Sequence, residues 1–517
     1  MKTRLIFTTL ALAATAAASA TTHDTLRDTT RVIDIEEVVV IATPKENTRL
    51  RQQALSATSL SQADIRSRQI ASVKSLSGLV PNLFIPDYGS KLTTSVYVRG
   101  IGSRINTPAV GLYVDNVPFI DKSAFDFNYS DIERIDVMRG PQGTLYGRNT
   151  MGGLIRVFTK SPFTYQGTDV QLSASTYNDY KVMLKHYHRI SEQFAFSVGT
   201  FYEHKGGFFK NAFDGKRIDT DDEAGGRIRA IWLPNANLKL DFTANYEYTN
   251  QGGYPYAYTG RTDGEEEDRA EYIGTISYNR PSGYRRNLAN GGLSIEHHAR
   301  NFILSSVTGF QYLHDRMTLD QDFTEADIYT LVQKQDAKTL SQEIVLKSNP
   351  GTRWQWTTGV SGFYQWLDTG APVTFHDEGI SSLIEDNINA GLAQLPAGAP
   401  TLSASVTTRP LLVPGHFKTP VLNGAIYHQS TLNDLFTEGL SLTVGLRLDY
   451  EKLWLDYDSR CDMGFDFGVS APFLPQPISR SLAASVRFAK STPTTCNSSP
   501  SSPCNMRGTP KTTSTPP

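Results

Sequence analysis

The sequence predicts an antiparallel membrane β-barrel preceded by a smaller α+β region. Three features point there: a secretory leader, two-residue alternation of apolar and polar residues after residue 163, and connections that alternate between short and long. A soluble β-sandwich or β-solenoid of a secreted protein alternates in the same way, and alternation by itself does not show that a sheet closes on itself.

The leader comes first. Residues 1–20, "MKTRLIFTTLALAATAAASA", place Lys2 and Arg4 before an apolar core and end on Ala18, Ser19 and Ala20, the pattern of a cleaved signal peptide. The chain is therefore expected to leave the cytoplasm. It has 517 residues, 39% of them hydrophobic, and a formal net charge of −2, so charge alone points to no partner and nucleic acid is not expected. After residue 20 no apolar run is long enough to cross a bilayer as a helix, which excludes a helical membrane protein. Cys461, Cys496 and Cys504 all lie late in the chain and form no disulfide framework for most of it.

Residues 35–160 mix extended and helical patterns. "IEEVVVIATP" is a short apolar run after a polar leader; "SQADIRSRQI" and "SVKSLSGLV" read as helical, with Val73, Leu76 and Val80 on one face. "SVYVRGIGSRINTPAVGLYVDNVPF" reads as a strand, an apical loop and a hairpin strand. The stretch "IERIDVMRGPQGTLYGRNTMGGLIRVFTK" then sets Gly140, Gly143, Gly147, Gly152 and Gly153 between two alternating runs. Such a segment bends sharply, but it is no phosphate cradle: "GRNTMGG" lacks the Lys-Ser/Thr pair of a P-loop and continues into β-branched "LIRVF" where a dinucleotide fingerprint needs a helix.

From residue 163 onward the chain repeats strand-length alternating runs. They are "DVQLSASTYN", "KVMLKHYHRI", "QFAFSVGTFYEH", "GRIRAIWLP", "NLKLDFTANYEY", "NFILSSVTGFQYL", "LSQEIVLKS", "WQWTTGVSGFYQWL", "AIYHQSTLND" and "LSLTVGLRLDYE". Short links such as "PNAN" alternate with long polar ones, Asn250 to Ala289 and Asp368 to Phe417, as in an outer-membrane barrel. Polar strand faces lining a wet lumen account for a mean hydropathy of −0.33 in a membrane protein.

Taken in order, "IEEVVV", "LSGLVPNL", "YVRGIG", "GLYVDNVPF", "IERIDVMRGPQGTLYGRNTMGGLIRV", "LSQEIVLK" and "LSLTVGLRLDYEK" resemble the TonB-dependent outer-membrane transporters, of the iron-complex receptor type, from Ile35 to Lys452. The resemblance implies a plug domain folded inside an antiparallel barrel of about 22 strands. It divides the chain into signal peptide 1–20, leader 21–48, plug 49–162, barrel 163–490 and a Ser/Thr/Pro-rich tail 491–517. Glu36, Glu37, Val38, Val39 and Val40 resemble the TonB box, which adds as an edge strand to the TonB protein of the inner-membrane energy-transducing complex. Arg99 and Arg139 match the family arginines that lock the plug to barrel glutamates, and Glu451 is expected to be one such glutamate. Gly140, Gly143 and Gly147 are expected to serve tight plug turns and close packing against the wall.

The resemblance further implies a monomer in the bacterial cell outer membrane, surrounded by its lipid, that imports a nutrient complex and is not an enzyme. A ferric siderophore or similar iron complex is the leading substrate; cobalamin, or a secreted β-rich binding protein that transports nothing, are the alternatives. The leader of about fifteen residues before "IEEVVV" is expected to leave no room for a carboxypeptidase-like extension or a signalling domain. By position, Tyr88, Arg104 and Asn106 are candidate contacts to an anionic complex, with a reading as plain loop residues equally open.

The remaining constellations carry little. "DGKRIDTDDEAGG", with Asp219, Asp221 and Asp222, lacks EF-hand spacing and reads as a solvated loop, as does "DGEEED" at 263–268. His186 and His188 share a strand face without a third ligand, so no metal and no cofactor are expected. Neither "GxSxG" nor "HExxH" occurs, and no catalytic residue is assigned. Roughly a dozen to fifteen strand candidates fall between 163 and 490, fewer than the family barrel needs, and the tail shows no alternation; a truncated or frame-shifted barrel is the expectation.

Overall fold

The computed structural model describes residues 45–46, 55–260 apart from 69, 71, 93, 106, 129 and 130, 270–470 apart from 395, 397 and 398, and the strands 478–488 and 496–497. Residues 35–42, with the expected TonB box, lie outside the described residues.

The first region is an α+β domain. Its sheet comprises β1 (Ser56–Ser61), β4 (Val110–Val114), β5 (Val117–Phe119), β6 (Ile132–Arg139) and β7 (Gly153–Thr159), in the order β1-β6-β7-β4-β5. A small pair, β2 (Leu83–Phe84) and β3 (Tyr97–Val98), lies apart. The β4–β5 hairpin turns at Asp115 and Asn116, both at positive φ as a two-residue type I′ turn requires. Helix α1 (Gln62–Ser67) starts on a capping box in which Asp64 N–H donates to Ser61 Oγ and Ser61 N–H to Asp64 Oδ2. The Ser61 hydroxyl and backbone N–H hold the Asp64 carboxyl below its ordinary pKa. The "SVKSLSGLV" stretch differs from expectation: it forms a short 3₁₀ turn, Lys74–Gly78, which suits serines and a glycine better than α-helix. Val73, Leu76 and Val80 are nonetheless all buried in the core.

The second region is a long antiparallel wall. It begins with β8 (Gly167–Ser175), β9 (Asp179–Arg189), β10 (Phe194–Lys205), β11 (Asp221–Asn235) and β12 (Leu238–Gln251). It continues with β13 (Gly283–His298), β14 (Phe302–Asp320), β15 (Tyr329–Ser348) and β16 (Trp354–Gly370). Strand β13 begins inside the stretch read from sequence as a long loop, because Arg285, Arg286, Asn287 and Asn290 mask its alternation. Of four short strands, β17 (Val373–Phe375), β19 (Leu411–Val413) and β20 (His416–Lys418) extend the wall above β15 and β16, while β18 (Thr401–Val406) pairs farther on, with residues 465–470. Then come β21 (Val421–Leu432), β22 (Leu442–Leu453), β23 (Asp456–Ser470), β24 (Ile478–Phe488) and a two-residue β25 (Cys496–Asn497) that pairs with β22. Neighbours pair in continuous register from β8 to β16, and then β16 pairs with β21 and β21 with β22.

Among the described residues the one register of β8 is with β9, so no register closes the cylinder at that edge. Strands β8 and β22 are accordingly exposed along most of their length.

The outer face of the wall is apolar. Val182, Leu184, Ile228, Phe310, Leu340, Ile344, Val360 and Ile426 are large and exposed, whereas alternate residues such as Ser305, Gln311, Asp315 and Thr339 are buried inside. That inversion suits a sheet whose outer solvent is lipid. Trp232 and Trp354 stand beside short turns and Trp366 lies far along β16. Twelve residues at about 3.3 Å, tilted about 45°, put Trp366 about 28 Å from Trp354, near the height of an apolar band with aromatic girdles. The first domain packs on the inner face: Leu288, Leu313 and Ala337 of the wall belong to the same buried cluster as Leu76, Leu112 and Ile155.

Candidate functional site

At the long-loop end, which faces outward in outer-membrane barrels, the first domain and the wall enclose a cavity of about 680 Å³. The plug contributes Lys74, Asp87 and Lys91 to its lining, and β10 to β12 contribute Glu203, Lys205 and Asp221 among others. Lys74 Nζ lies 3.1 Å from Asp87 and 3.3 Å from Asp126; Lys91 Nζ lies 2.5 Å from Glu223. Burial works against the charge of Lys91, but Glu223 and its neighbouring carboxylates outweigh it and hold the ammonium above its ordinary pKa. Burial likewise opposes ionisation of Asp126, and Lys91 and Lys74 reverse that, keeping it below the usual carboxylate range.

The structure corrects one sequence reading here. Asp221 is not in a solvated loop: it opens β11, is only 3% exposed and turns into the lumen with Glu223. Its acidic run misleads because in a barrel the polar face points inward. Asp219 fits the loop reading better and accepts from the N–H groups of Phe208 and Phe209.

Of the expected apical contacts, Arg104 stacks on Tyr88 with its guanidinium carbon 4.5 Å from the ring centroid, and Tyr256 donates to the Tyr88 carbonyl at 2.8 Å. Burial, and then the Tyr97 hydroxyl, push the Tyr88 phenol up. Asn106 lies outside the described residues. His186 and His188 stack with centroids 5.8 Å apart on the exposed face of β9, and no cluster of metal-ligating residues occurs among the described residues.

Charged contacts fasten the first domain to the wall, though not those the sequence led us to expect. Glu451 on β22 meets Arg148 at 3.2 Å, not Arg99 or Arg139. The reason is positional: β22 packs against α2 (Gly143–Tyr146), and the turn leaving α2 carries Arg148. Arg139 donates within its own domain, to the Pro81 carbonyl at 3.3 Å, and the Arg99 guanidinium lies over Gly140. Elsewhere Asp115 of the hairpin turn pairs with Arg227, and Arg229 donates to the Thr159 carbonyl at 2.8 Å while binding Asp241 through two nitrogens. Arg286, fully buried, donates to the carbonyls of Ser123 and Asp126 and pairs with Glu247. Sequence reasoning missed these arginines; the available signal was cations at every second position of an alternating strand, Arg227 and Arg229.

Gly140 and Gly147 both need glycine. Gly140 has φ +119° and Gly147 φ +69°, and a Cβ on Gly147 would come within 2.3 Å of the Arg447 guanidinium, itself bound to Asp449. Gly143 departs from the expectation: it opens α2 with no atom within 4 Å of a Cβ. Gly147→Ala is expected to weaken the domain by about 1–3 kcal/mol through backbone strain. Gly143→Ala should instead strengthen it by about 0.5–1 kcal/mol. Hydrogen exchange of the amides of β6 and β7 measures both, and equal effects would refute the distinction.

Toward the short-turn end, Lys45 and Glu46 are pinned between domain and wall. Lys45 Nζ lies 2.8 Å from Glu343 of β15 and over the Tyr146 ring, and Tyr427 of β21 donates to the same Glu343 at 2.8 Å. Glu46 binds Arg156 at 2.8 Å and accepts from Tyr146 at 3.0 Å, while its carbonyl accepts from Lys347 at 3.3 Å. Arg156 also binds Asp136 at 3.1 Å in the middle of the sheet.

Comparisons with known proteins agree with this architecture. The TonB-dependent Receptor Plug Domain family matches residues 49–154. The pesticin receptor of Yersinia pestis is 31% identical over 130 residues, 25% of this chain and 19% of that receptor. The ferrioxamine receptor of Yersinia enterocolitica is 25% identical over 239 residues, 44% of this chain and 32% of that receptor. The aligned stretches thus span less than a third of either relative. Among solved structures, the ferric yersiniabactin uptake receptor of Yersinia pestis superposes with a TM-score of 0.55 at 15% identity, covering 85% of this chain and 73% of that one, a likeness of fold.

Proposed function

We propose that this chain, whose residues 49–154 match the TonB-dependent Receptor Plug Domain family, is a TonB-dependent receptor of the outer membrane that imports a ferric siderophore or similar iron complex with energy delivered through its leader. The observation that supports this reading most directly is the seating of the plug. It bears on β11, β13, β15 and β22 through ion pairs and hydrogen bonds, beside apolar contacts with Leu288, Leu313 and Ala337 and the packing of Leu92 on Tyr284, Met317 and Leu319. Polar joints of that kind exchange for water at modest net cost, so a plug held by them can shift without unfolding the wall. An outer membrane has no nucleotide supply, and under this reading a pull on the leader reaches the wall and the plug through Lys45–Glu343 and Glu46–Arg156.

Uptake of radio-iron chelates by cells lacking their own chelate receptors tests the proposal. Accumulation should require this chain and disappear with a protonophore or without the TonB protein. Accumulation indifferent to both would refute energised import, and accumulation of labelled cobalamin instead of iron would favour the alternative cargo, as in the vitamin B12 transporter of Vibrio vulnificus, 28% identical over 155 residues.

A further inference from the structure

We infer that the outer face of the wall binds a phosphate-bearing lipid at the long-loop end, through Arg285, Arg316 and Lys334. The site rests on the outer-membrane part of the reading above and not on import. The three cations come from consecutive strands and stand in one row: Arg285 of β13 is opposite Arg316 of β14, and Arg316 is opposite Lys334 of β15. All three are exposed, and alternation turns them to the outer face, because their neighbours Tyr284, Arg286, Asp315 and Met317 are buried on the lumen side. Among the described residues none of the three forms an ion pair. Arg285 Nε donates to Asn250 Oδ1 at 2.9 Å, which steadies the guanidinium and leaves its terminal nitrogens for a ligand. The carboxylates of the next row are engaged: Asp336 meets His314 at 2.7 Å, and Asp368 meets His416 at 2.7 Å.

Like charges set directly opposite each other across antiparallel strands repel, and this row repeats that clash twice. An anion lying on the row relieves both, and a phosphate offers several oxygens to guanidinium and ammonium donors at once. The height suits a headgroup. Arg316 lies fourteen residues along β14 from Phe302, about 33 Å at a tilt of about 45°, beyond an apolar band about 25 Å tall. Between the two, Lys338 stands opposite both Tyr312 and Trp366, the cation-and-aromatic mixture of a membrane interface. Below them Phe310, Leu340 and Ile344 continue as exposed apolar surface. A lipid lays its acyl chains on that surface while its phosphate meets the row; free phosphate uses only the row.

The test uses the full chain extracted from outer membranes in a nonionic detergent, with three probes: phosphatidic acid, diacylglycerol of the same acyl chains, and inorganic phosphate. Native mass spectrometry reads the lipid retained. Phosphatidic acid is expected to bind about tenfold more tightly than diacylglycerol, and inorganic phosphate at equal concentration should not displace it. Changing Arg285, Arg316 and Lys334 together to Gln should abolish the preference. Arg316→Gln alone, a single exposed change, should cut it about fivefold, and Arg316→Lys should keep it. Arg300→Gln, at a short turn on the opposite end, should leave it as it was. Equal retention of the two lipids, or a preference that survives both the triple change and Arg316→Gln, overturns the site. Displacement by inorganic phosphate overturns its lipid character. Iron uptake, measured separately, is untouched by either result.

Discussion

Arg156→Met is expected to loosen the plug by about 3–5 kcal/mol. Arg156 sits 3% exposed on β7 and joins two carboxylates, Asp136 of the adjacent strand and Glu46 at the end of the leader, with side chains 1% and 9% exposed. Methionine fills the volume but leaves those charges short of a partner. Asp136 keeps Ser59, which donates at 2.8 Å, and Arg134 at 3.2 Å, while Glu46 keeps Tyr146. Hydrogen exchange of the plug-sheet amides should accelerate about a hundredfold to several thousandfold if they exchange through that opening. Pairing the change with Asp136→Leu should return part of the loss, because it removes one of the two orphaned carboxylates while Glu46 keeps only Tyr146. A single variant with native exchange would show that Arg156 carries no such burden.

Val39→Pro is expected to bring energised uptake down to the level of cells without a proton gradient, with substrate binding unchanged. Val39 lies outside the described residues, and the argument is chemical. Under the proposed reading Val38, Val39 and Val40 join the TonB protein as an added edge strand, held by main-chain hydrogen bonds. Proline removes one N–H from that ladder. Successive N–H groups of a strand point to opposite edges, so proline scanned through the three valines should act at alternate positions. Radio-iron uptake measured beside equilibrium binding separates loss of coupling from loss of recognition. Uptake that survives proline at all three positions would remove the TonB-box assignment.

The plug's seating links these two expectations. A pull entering at residue 45 meets Lys45–Glu343 first, a contact between leader and wall, and Glu46–Arg156 next, a contact between leader and plug. The order matters because a buried ion pair resists separation only until water reaches it.

The sequence alone determined the periodic part of this protein. Alternation along β9, β10, β12, β14, β15, β16, β21 and β22 is a local property of side chains on a pleated backbone. Tertiary structure decided the rest. Which arginine meets Glu451 depends on which plug turn packs against β22, and the burial of Asp221 depends on the plug covering the lumen face of β11. No local pattern encodes either, because charge pairing across a lumen joins residues hundreds of positions apart. A polar residue reads the same in sequence whether water or a plug lies opposite it.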